Sequence, residues 1–189
     1  MQKHQHFIVH KPYGYLSQFI NNQTKRKKKL LGELYNFPEG TMAIGRLDVT
    51  SEGLLLLTTD GKVSEYIRSR KVEKEYYVQV DGIITQREIA LLKRGLDISI
   101  EGKKYTTKPC EARSIAAPNF PNRTQKIRDE RHGPTSWISI TITEGKFRQV
   151  RKMTAAVKHP TLRLIRVRIG SILIEGLSLG QVKELKKLS

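Results

Sequence analysis

The strongest constraint on the fold is a run of four leucines. The segment "GRLDVTSEGLLLLTTDG" (45–61) places Leu54–Leu57 in an unbroken apolar stretch that closes at the turn-forming pair Asp60-Gly61. A short apolar run bounded by turn residues is typical of a β-strand buried on both faces. We therefore expect a buried strand at Leu54–Thr58, with a polar loop leading into it.

Alternation and capping patterns predict further elements. In "SWISITIT" (136–143), apolar and polar residues alternate, which places three isoleucines on one face of a strand. Thr85 and Glu88 form a capping box for a helix that ends near Gly95. We also expect strands at 7–10, 75–80 and 161–170, a hairpin within 98–115 that turns at Glu101-Gly102, a helix from Gly145 and a long loop at 116–134. Many strands with a few short helices predict an α+β fold.

Composition restricts the partner and the compartment. The 189 residues fit one domain, and 35 Lys and Arg against 18 Asp and Glu give a formal charge of +17. This excess favours a polyanionic partner, of which nucleic acid is the commonest. Cys110 is the only cysteine, so an internal disulfide is excluded and a reducing, cytoplasmic location is expected. No apolar stretch reaches the ~20 residues of a membrane span, and we expect no membrane association.

Asp48 is the first candidate for chemistry. It follows Gly45 and Arg46 in a tight segment that the leucine run would anchor to the core. Aspartates in such turns usually only stiffen the backbone, and this interpretation stays open. The alternative is that a rigid loop presents a reactive carboxylate close to a positive charge.

Two further segments carry residues suited to binding RNA. In "KEYYVQV" (74–80), Tyr76 and Tyr77 point to opposite faces, so one is expected in the core while the other can stack on a base. In "TEGKFRQVRKM" (143–153), cations are interleaved with apolar residues. They form either a solvated helix face or a surface in which one cation neutralises a buried carboxylate and the others hold phosphates. These cations are Lys146, Arg148, Arg151 and Lys152.

Other enzyme classes lack their signatures in this sequence. The histidines and the cysteine show no metal-ligand spacing, and the glycine patterns that bind ATP or dinucleotides are absent. We therefore expect no metal and no small-molecule cofactor. An alternative, a metal-dependent nuclease, would need clustered carboxylates, and only Glu52 and Asp60 lie near Asp48 in the sequence.

Several segments together resemble one family. "KPYG" (11–14), "GRLDVTSEGLLLLTTDG" (45–61) and "EGKFRQVRKMTAAVKHPTLRLIRVRIG" (144–170) are similar to motifs of the RsuA-type pseudouridine synthases, and "KEYYVQVDG" (74–82) is similar to the intervening strand. The segment 134–166 most resembles members that modify large-subunit (23S) rRNA. The resemblance implies a mixed, mainly antiparallel sheet with flanking helices and a central active-site cleft. It implies an isomerase that converts a specific uridine of rRNA to pseudouridine without a cofactor.

The resemblance also implies roles for single residues. Asp48 would be the essential catalytic aspartate, Tyr76 would stack on the target uracil, and Lys146 would pair with the aspartate. Arg46 would help to displace the target nucleotide, and Leu164 would pack against the flipped base. The ionised carboxylate would act either as a nucleophile on ribose or base, or as a proton acceptor at the sugar. Because desolvation disfavours a charged carboxylate, Lys146 is expected to keep Asp48 ionised.

The sequence departs from many family members before "KPYG". They carry an S4 RNA-binding module there, whereas six residues precede Phe7 in this sequence. We therefore expect a single catalytic domain over 1–189 that acts as a monomer. The surface of this domain would itself bind the rRNA. The densest charge is Lys25, Arg26, Lys27, Lys28 and Lys29, which either contacts RNA or forms a solvated loop. The alternative to an enzyme is a non-catalytic RNA-binding or ribosome-assembly protein on the same fold.

Overall fold

The computed structural model describes residues 4–20, 28–69, 72–123, 125–128 and 130–188, which form an α+β fold as predicted. The strands in these ranges are β1 (His6–Lys11), β2 (Met42–Ile44), β3 (Glu52–Thr58), β4 (Lys74–Asp81), β5 (Asp97–Ile100), β6 (Lys103–Thr106), β7 (Glu111–Ile115), β8 (Thr135–Ile142), β9 (Thr161–Ile169), β10 (Ile172–Leu173) and β11 (Val182–Leu185). The α-helices are α1 (Gly61–Ser69), α2 (Gln86–Arg94) and α3 (Gln149–Ala156), and short 3-10 helices lie at Leu31–Glu33 and Glu130–His132.

The chain divides into two compact units. The first unit comprises Met1–Val72 and Arg166–Ser189, and the second comprises Glu73–Ile165. In the first unit, β1 pairs antiparallel with β3 from His6 opposite Thr58 to Lys11 opposite Gly53. β2 pairs with the end of β3, β11 pairs with β1, and β10 pairs with β9.

The leucine run forms the interior of the first unit. Leu54–Leu57 are 0–1% exposed, which confirms the prediction of a strand buried on both faces. One face packs into a buried cluster with Phe7 and Leu31. The Phe37 ring stands edge-on to Phe7 and to Phe19, each with ring centroids 5.4 Å apart. These contacts hold the segment before β2 against the sheet.

Gly53 permits an unusually close approach of two backbones. Its φ is +110°, and a Cβ atom there would lie 2.3 Å from the carbonyl oxygen of Arg166. The Arg166 guanidinium in turn donates from Nε to the Leu54 carbonyl at 2.7 Å. A side chain at position 53 would therefore force apart β3 and the end of β9.

In the second unit, β8 lies between β4 and β7 and pairs antiparallel with both. Ile138, Ile140 and Ile142 are 0–4% exposed, so the predicted apolar face of this strand is confirmed. On β4, Tyr76 stands opposite Ile140, whereas Tyr77 projects to the other face. The sheet of this unit thus has one apolar face and one more polar face.

The predicted capping box begins α2. The Thr85 backbone N–H donates to Glu88 Oε2 at 2.7 Å, and the Thr85 hydroxyl donates to the same atom at 2.6 Å. Ile89 and Leu92 bury the inner face of the helix. Gly95 is the C-cap with a φ of +88°, as the sequence predicts.

The structure confirms one local prediction in part and corrects two others. The hairpin turn expected at Glu101-Gly102 is confirmed between β5 and β6, but the hairpin ends at Thr106 because β7 pairs with β8. α3 begins at Gln149 and not at Gly145, because Arg148 adopts left-handed backbone angles at its N-cap. Asp60-Gly61 is not only a turn: Asp60 Oδ1 accepts the Lys62 N–H at 2.9 Å and so starts α1.

Substituting Gly53 tests the close approach in the first unit. We expect Gly53→Ala to lower the free energy of unfolding by roughly 3 kcal/mol, because the new methyl group overlaps the Arg166 backbone and φ stays positive. Urea denaturation measures this change. Gly61→Ala is the control, since open space surrounds that position and its effect should stay within about 1 kcal/mol. Similar effects of the two substitutions would contradict the close approach.

Candidate active site

The loop that carries Asp48 is fixed on both sides of this residue. The Ser17 hydroxyl donates to the Leu47 carbonyl at 2.8 Å and accepts the Leu47 N–H at 2.9 Å. On the other side, the Val49 carbonyl accepts the Gly14 N–H at 2.8 Å. We call these three hydrogen bonds the Ser17–Gly14 clamp. The clamp attaches the backbone on both sides of Asp48 to the segment that starts with "KPYG" and continues to Ser17.

The environment of Asp48 combines a rigid backbone with partial access to solvent. Asp48 is half-buried and Arg46 is exposed, whereas the Leu47 side chain between them is buried. Gly45 turns the chain with a φ of +73°. The loop therefore leaves one carboxylate and one guanidinium accessible on either side of a buried leucine.

A cluster of buried charged side chains in the first unit interacts electrostatically with Asp48. Lys11 and Glu52 are fully buried, and Arg166 is 4% exposed. Lys11 Nζ donates to the carbonyls of Pro12 at 3.0 Å and Tyr15 at 2.8 Å. The ammonium group thereby holds the segment that supplies the Ser17–Gly14 clamp.

Burial dominates the titration of Lys11. Desolvation lowers the pKa of Lys11 to about 7; attraction to Glu52 and Asp48 opposes this shift, and repulsion from Arg166 adds to it. Neither Lys11 nor Arg166 was predicted from the sequence to lie near Asp48. Only their positions in the sequence could have indicated them: Lys11 is the first residue of "KPYG", and Arg166 lies in a segment of alternating charge.

The second unit contains Tyr76 and Leu164. Their exposed fractions are 8% and 6%, so each shows only a small part of its side chain. Tyr77 is half-buried, and its ring lies 6.4 Å from the ring of Phe120. Tyr76 is therefore the core tyrosine of the pair.

Lys146 lies in a turn that Glu144 organises. Glu144 accepts hydrogen bonds from the Tyr105 hydroxyl, from the Lys108 N–H at 3.0 Å and from Gln149 Nε2 at 2.7 Å. Burial would raise the pKa of Glu144, but these hydrogen bonds outweigh it and lower that pKa. Lys146 is exposed, and its Nζ lies 4.9 Å from the centre of the Tyr105 ring. The Glu144 carboxylate thus fixes the backbone that positions Lys146.

The other predicted RNA-binding cations differ in their surroundings. Arg148 is exposed, whereas Arg151 and Lys152 are half-buried. Lys152 Nζ donates to the Ser99 carbonyl at 2.6 Å and lies 5.5 Å from the Phe147 ring centre. At least part of this basic segment therefore has a structural role.

The basic run is only partly described. Lys25, Arg26 and Lys27 lie outside the described residues. Lys28 is half-buried, and Lys29 is exposed with its Nζ 5.4 Å from the centre of the Tyr15 ring. The Lys29 carbonyl also accepts the Leu16 N–H at 2.9 Å. The end of the basic run therefore lies against the segment that follows "KPYG".

Metal ligands and membrane spans can be assessed in the described part of the chain. There, no group of three or more His, Cys, Asp or Glu residues is placed to hold a metal ion. None of the helices in those residues is long and apolar enough to cross a membrane.

The low pKa of Lys11 predicts how stability depends on pH. Above pH 7 the folded protein loses the Lys11 proton while the unfolded chain, with a pKa of 10.5, keeps it. The free energy of unfolding of wild type should therefore rise with pH relative to Lys11→Met, by up to about 1.4 kcal/mol per pH unit between about pH 7.5 and 9.5. Urea denaturation of both proteins across this range measures the difference. If the free energy of unfolding of wild type stayed constant or fell relative to that of Lys11→Met over this range, Lys11 would keep its proton in the folded protein.

Comparisons with known proteins agree with the resemblance. The family model described as RNA pseudouridylate synthase matches residues 5–156. The ribosomal large subunit pseudouridine synthase E of Vibrio parahaemolyticus is 38% identical over 188 residues, covering 98% of this chain and 76% of that protein. The protein of the same name from Xanthomonas campestris is 40% identical over 177 residues, covering 92% and 91%.

A solved structure extends this similarity to the fold. The "Crystal structure of pseudouridylate synthase" superimposes with a TM-score of 0.75 at 26% identity, over 98% of this chain and 71% of that one. The family model spans most of the chain, and the relatives confirm the resemblance inferred from the motifs. The protein therefore belongs to the RNA pseudouridylate synthase family.

Proposed function

We propose that this protein isomerises a specific uridine of large-subunit rRNA to pseudouridine, with Asp48 as the essential carboxylate. The names of the relatives from Vibrio parahaemolyticus and Xanthomonas campestris support this choice of RNA. The formal charge of +17 suits the same partner. The Ser17–Gly14 clamp is the observation that carries the assignment of Asp48, because it fixes the backbone on both sides of one half-buried carboxylate.

The reaction needs no net oxidation or reduction. The N1–C1′ bond of the uridine breaks, the uracil turns, C5 bonds to C1′, and the proton on C5 is lost while N1 gains one. The uridine must first leave its stack, at a cost of a few kcal/mol. Asp48 must be ionised when the base arrives, whether it attacks carbon or accepts a proton. Chemistry of this kind uses side chains alone, so the proposal includes no cofactor.

The remaining residues take supporting roles in this proposal. Arg46, exposed two residues from Asp48, fills the space that the extruded nucleotide leaves. The family resemblance assigns the contact with the target uracil to Tyr76 and Leu164, which would offer it the small exposed parts of their core side chains. Lys146 balances the carboxylate charge, and its long flexible stem lets the ammonium exchange the Tyr105 ring for another partner.

We propose that the enzyme acts as a monomer in the cytoplasm. Cys110 is a free cysteine, which fits a reducing compartment. Its thiol is partly buried and donates to the Leu92 carbonyl at 3.2 Å. Burial raises the pKa of Cys110 to about 11, so the thiol stays protonated and unreactive at neutral pH.

Replacing the carboxylate tests the assignment. Asp48→Asn should lower the single-turnover rate of pseudouridine formation at least ~100-fold, because an amide is neither a base nor a nucleophile under these conditions. Pseudouridine in transcribed 23S rRNA is quantified by mass spectrometry, and RNA affinity is measured in parallel. Asp60→Asn is the control, since asparagine serves equally at the N-cap of α1. If wild type forms pseudouridine and Asp48→Asn matches it, Asp48 is not the catalytic group.

The clamp predicts that Ser17 is a positioning residue. Ser17→Ala removes both hydrogen bonds to Leu47 and should slow the single-turnover rate by up to about 100-fold, because small displacements of a reacting group are costly. RNA affinity should stay unchanged, and Ser17→Thr, which keeps the hydroxyl, should recover most of the rate. Equal loss in both variants, or an unchanged rate in folded Ser17→Ala, would argue against this role.

A further inference from the structure

The second unit contains a cavity that the proposed chemistry does not use. Its volume is about 730 Å³, and the loop between β7 and β8 forms much of its wall. The sequence predicts this loop at 116–134, and loops of this length are usually functional or mobile. Four cations line the cavity, and no acidic side chain is found among the lining residues that the structure describes. These cations are Arg123, Lys126, Arg128 and Arg163.

The cavity lies on the polar face of its sheet. Gln79 lines it from β4 and is three residues from Tyr76, so the two side chains project to opposite faces of that strand. Arg163 lines it from β9 and is adjacent to Leu164, so the same alternation applies there. The cavity is therefore separate from the surface that Tyr76 and Leu164 would present to the target base.

Hydrogen bonds hold its cations in place. Arg163 donates to the Pro121 carbonyl at 2.8 Å, and Arg123 Nε donates to the Gln125 carbonyl at 2.8 Å. Arg128 donates from Nη1 to Asp81 Oδ2 at 3.0 Å and from Nη2 to Asp81 Oδ1. That pairing lowers the pKa of Asp81. These contacts fix three guanidinium groups at the cavity, of which Arg128 is already paired with a carboxylate.

Two buried polar atoms at the cavity lack a hydrogen bond. Gln79 Nε2 donates to the Thr135 hydroxyl at 3.1 Å, but Gln79 Oε1 has no partner. Arg128 Nε is likewise buried without a partner. Buried polar atoms are rarely left unsatisfied in folded proteins. An acceptor and a donor of this kind suit a polar ligand, and the apolar side chains of Ile127 and Pro134 supply a wall.

From these observations we propose that the cavity binds one nucleotide of the RNA substrate outside the catalytic site. Its phosphate lies between Arg123 and Lys126, and its base edge meets the Gln79 amide. The volume suits a ligand of this size. The inference rests on the proposed function for the identity of the RNA. It adds a second point of attachment, on the face of β4 opposite Tyr76.

Three variants of the full chain test this site with transcribed 23S rRNA as the probe. Arg123→Gln/Lys126→Gln should weaken binding about tenfold and make the slope of log affinity against log salt shallower, by about 0.7–0.9 for each phosphate that the variant no longer neutralises. Gln79→Leu should weaken binding severalfold without changing this slope, because it removes no charge. Lys186→Gln/Lys187→Gln is the matched control, since it removes two exposed charges elsewhere.

The outcomes separate this site from the enzyme activity. Pseudouridine formation by wild type is measured with the same preparation, and its absence would contradict the proposed function rather than the cavity. With wild type active, equal affinity and salt slope in the cavity double variant and the control would overturn the site. Unchanged binding of folded Gln79→Leu would overturn the base contact. Competition by uridine monophosphate against the RNA, abolished in Arg123→Gln/Lys126→Gln, would support a pocket for a single nucleotide.

Discussion

Burial of β3 on both faces is the constraint on which the arrangement of the first unit depends. A strand whose four leucines are all out of solvent cannot shift register without exposing apolar surface or burying polar groups. The loop that carries Asp48 leads directly into this strand, so the packing of the strand in the core also determines the position of the loop. Ser17 and Gly14 then fix the few residues that the strand does not reach. The fixed backbone on both sides of Asp48 is thus a consequence of packing as much as of local hydrogen bonding.

The same unit keeps buried charges next to this loop. A buried ammonium is costly unless polar groups surround it, and Lys11 meets this need with two backbone carbonyls. Arg166 Nε donates a hydrogen bond to the Leu54 carbonyl, whereas the buried Arg166 Nη2 has no hydrogen-bond partner. The Lys11 charge changes near neutral pH because burial and repulsion from Arg166 work against attraction to the carboxylates. The field at Asp48 therefore depends on residues that face the interior, not on surface lysines alone.

Local patterns predicted the elements that are defined locally. The capping box of α2 and the isoleucine face of β8 each need only a few neighbouring residues, and both were confirmed. α1 was missed because Asp60-Gly61 is equally typical of a turn and of a helix start. Lys11 was missed because its strand partner Gly53 and its charged neighbours Glu52 and Arg166 are all distant from it in the sequence. The sequence could propose Asp48 for the site, but it could not predict which groups surround it.

The distribution of charge also changes what the basic composition means. Lys11, Lys152, Arg163 and Arg166 each donate to a backbone carbonyl, so these side chains are engaged within the folded protein. All charges contribute to the long-range field that attracts a polyanion, but only accessible ones can replace counterions on phosphates. The salt dependence of RNA binding should therefore correspond to far fewer phosphates than the formal charge suggests. The electrostatic field of a basic protein therefore attracts RNA from all of its charges, while direct binding of phosphates is limited to a few exposed cations.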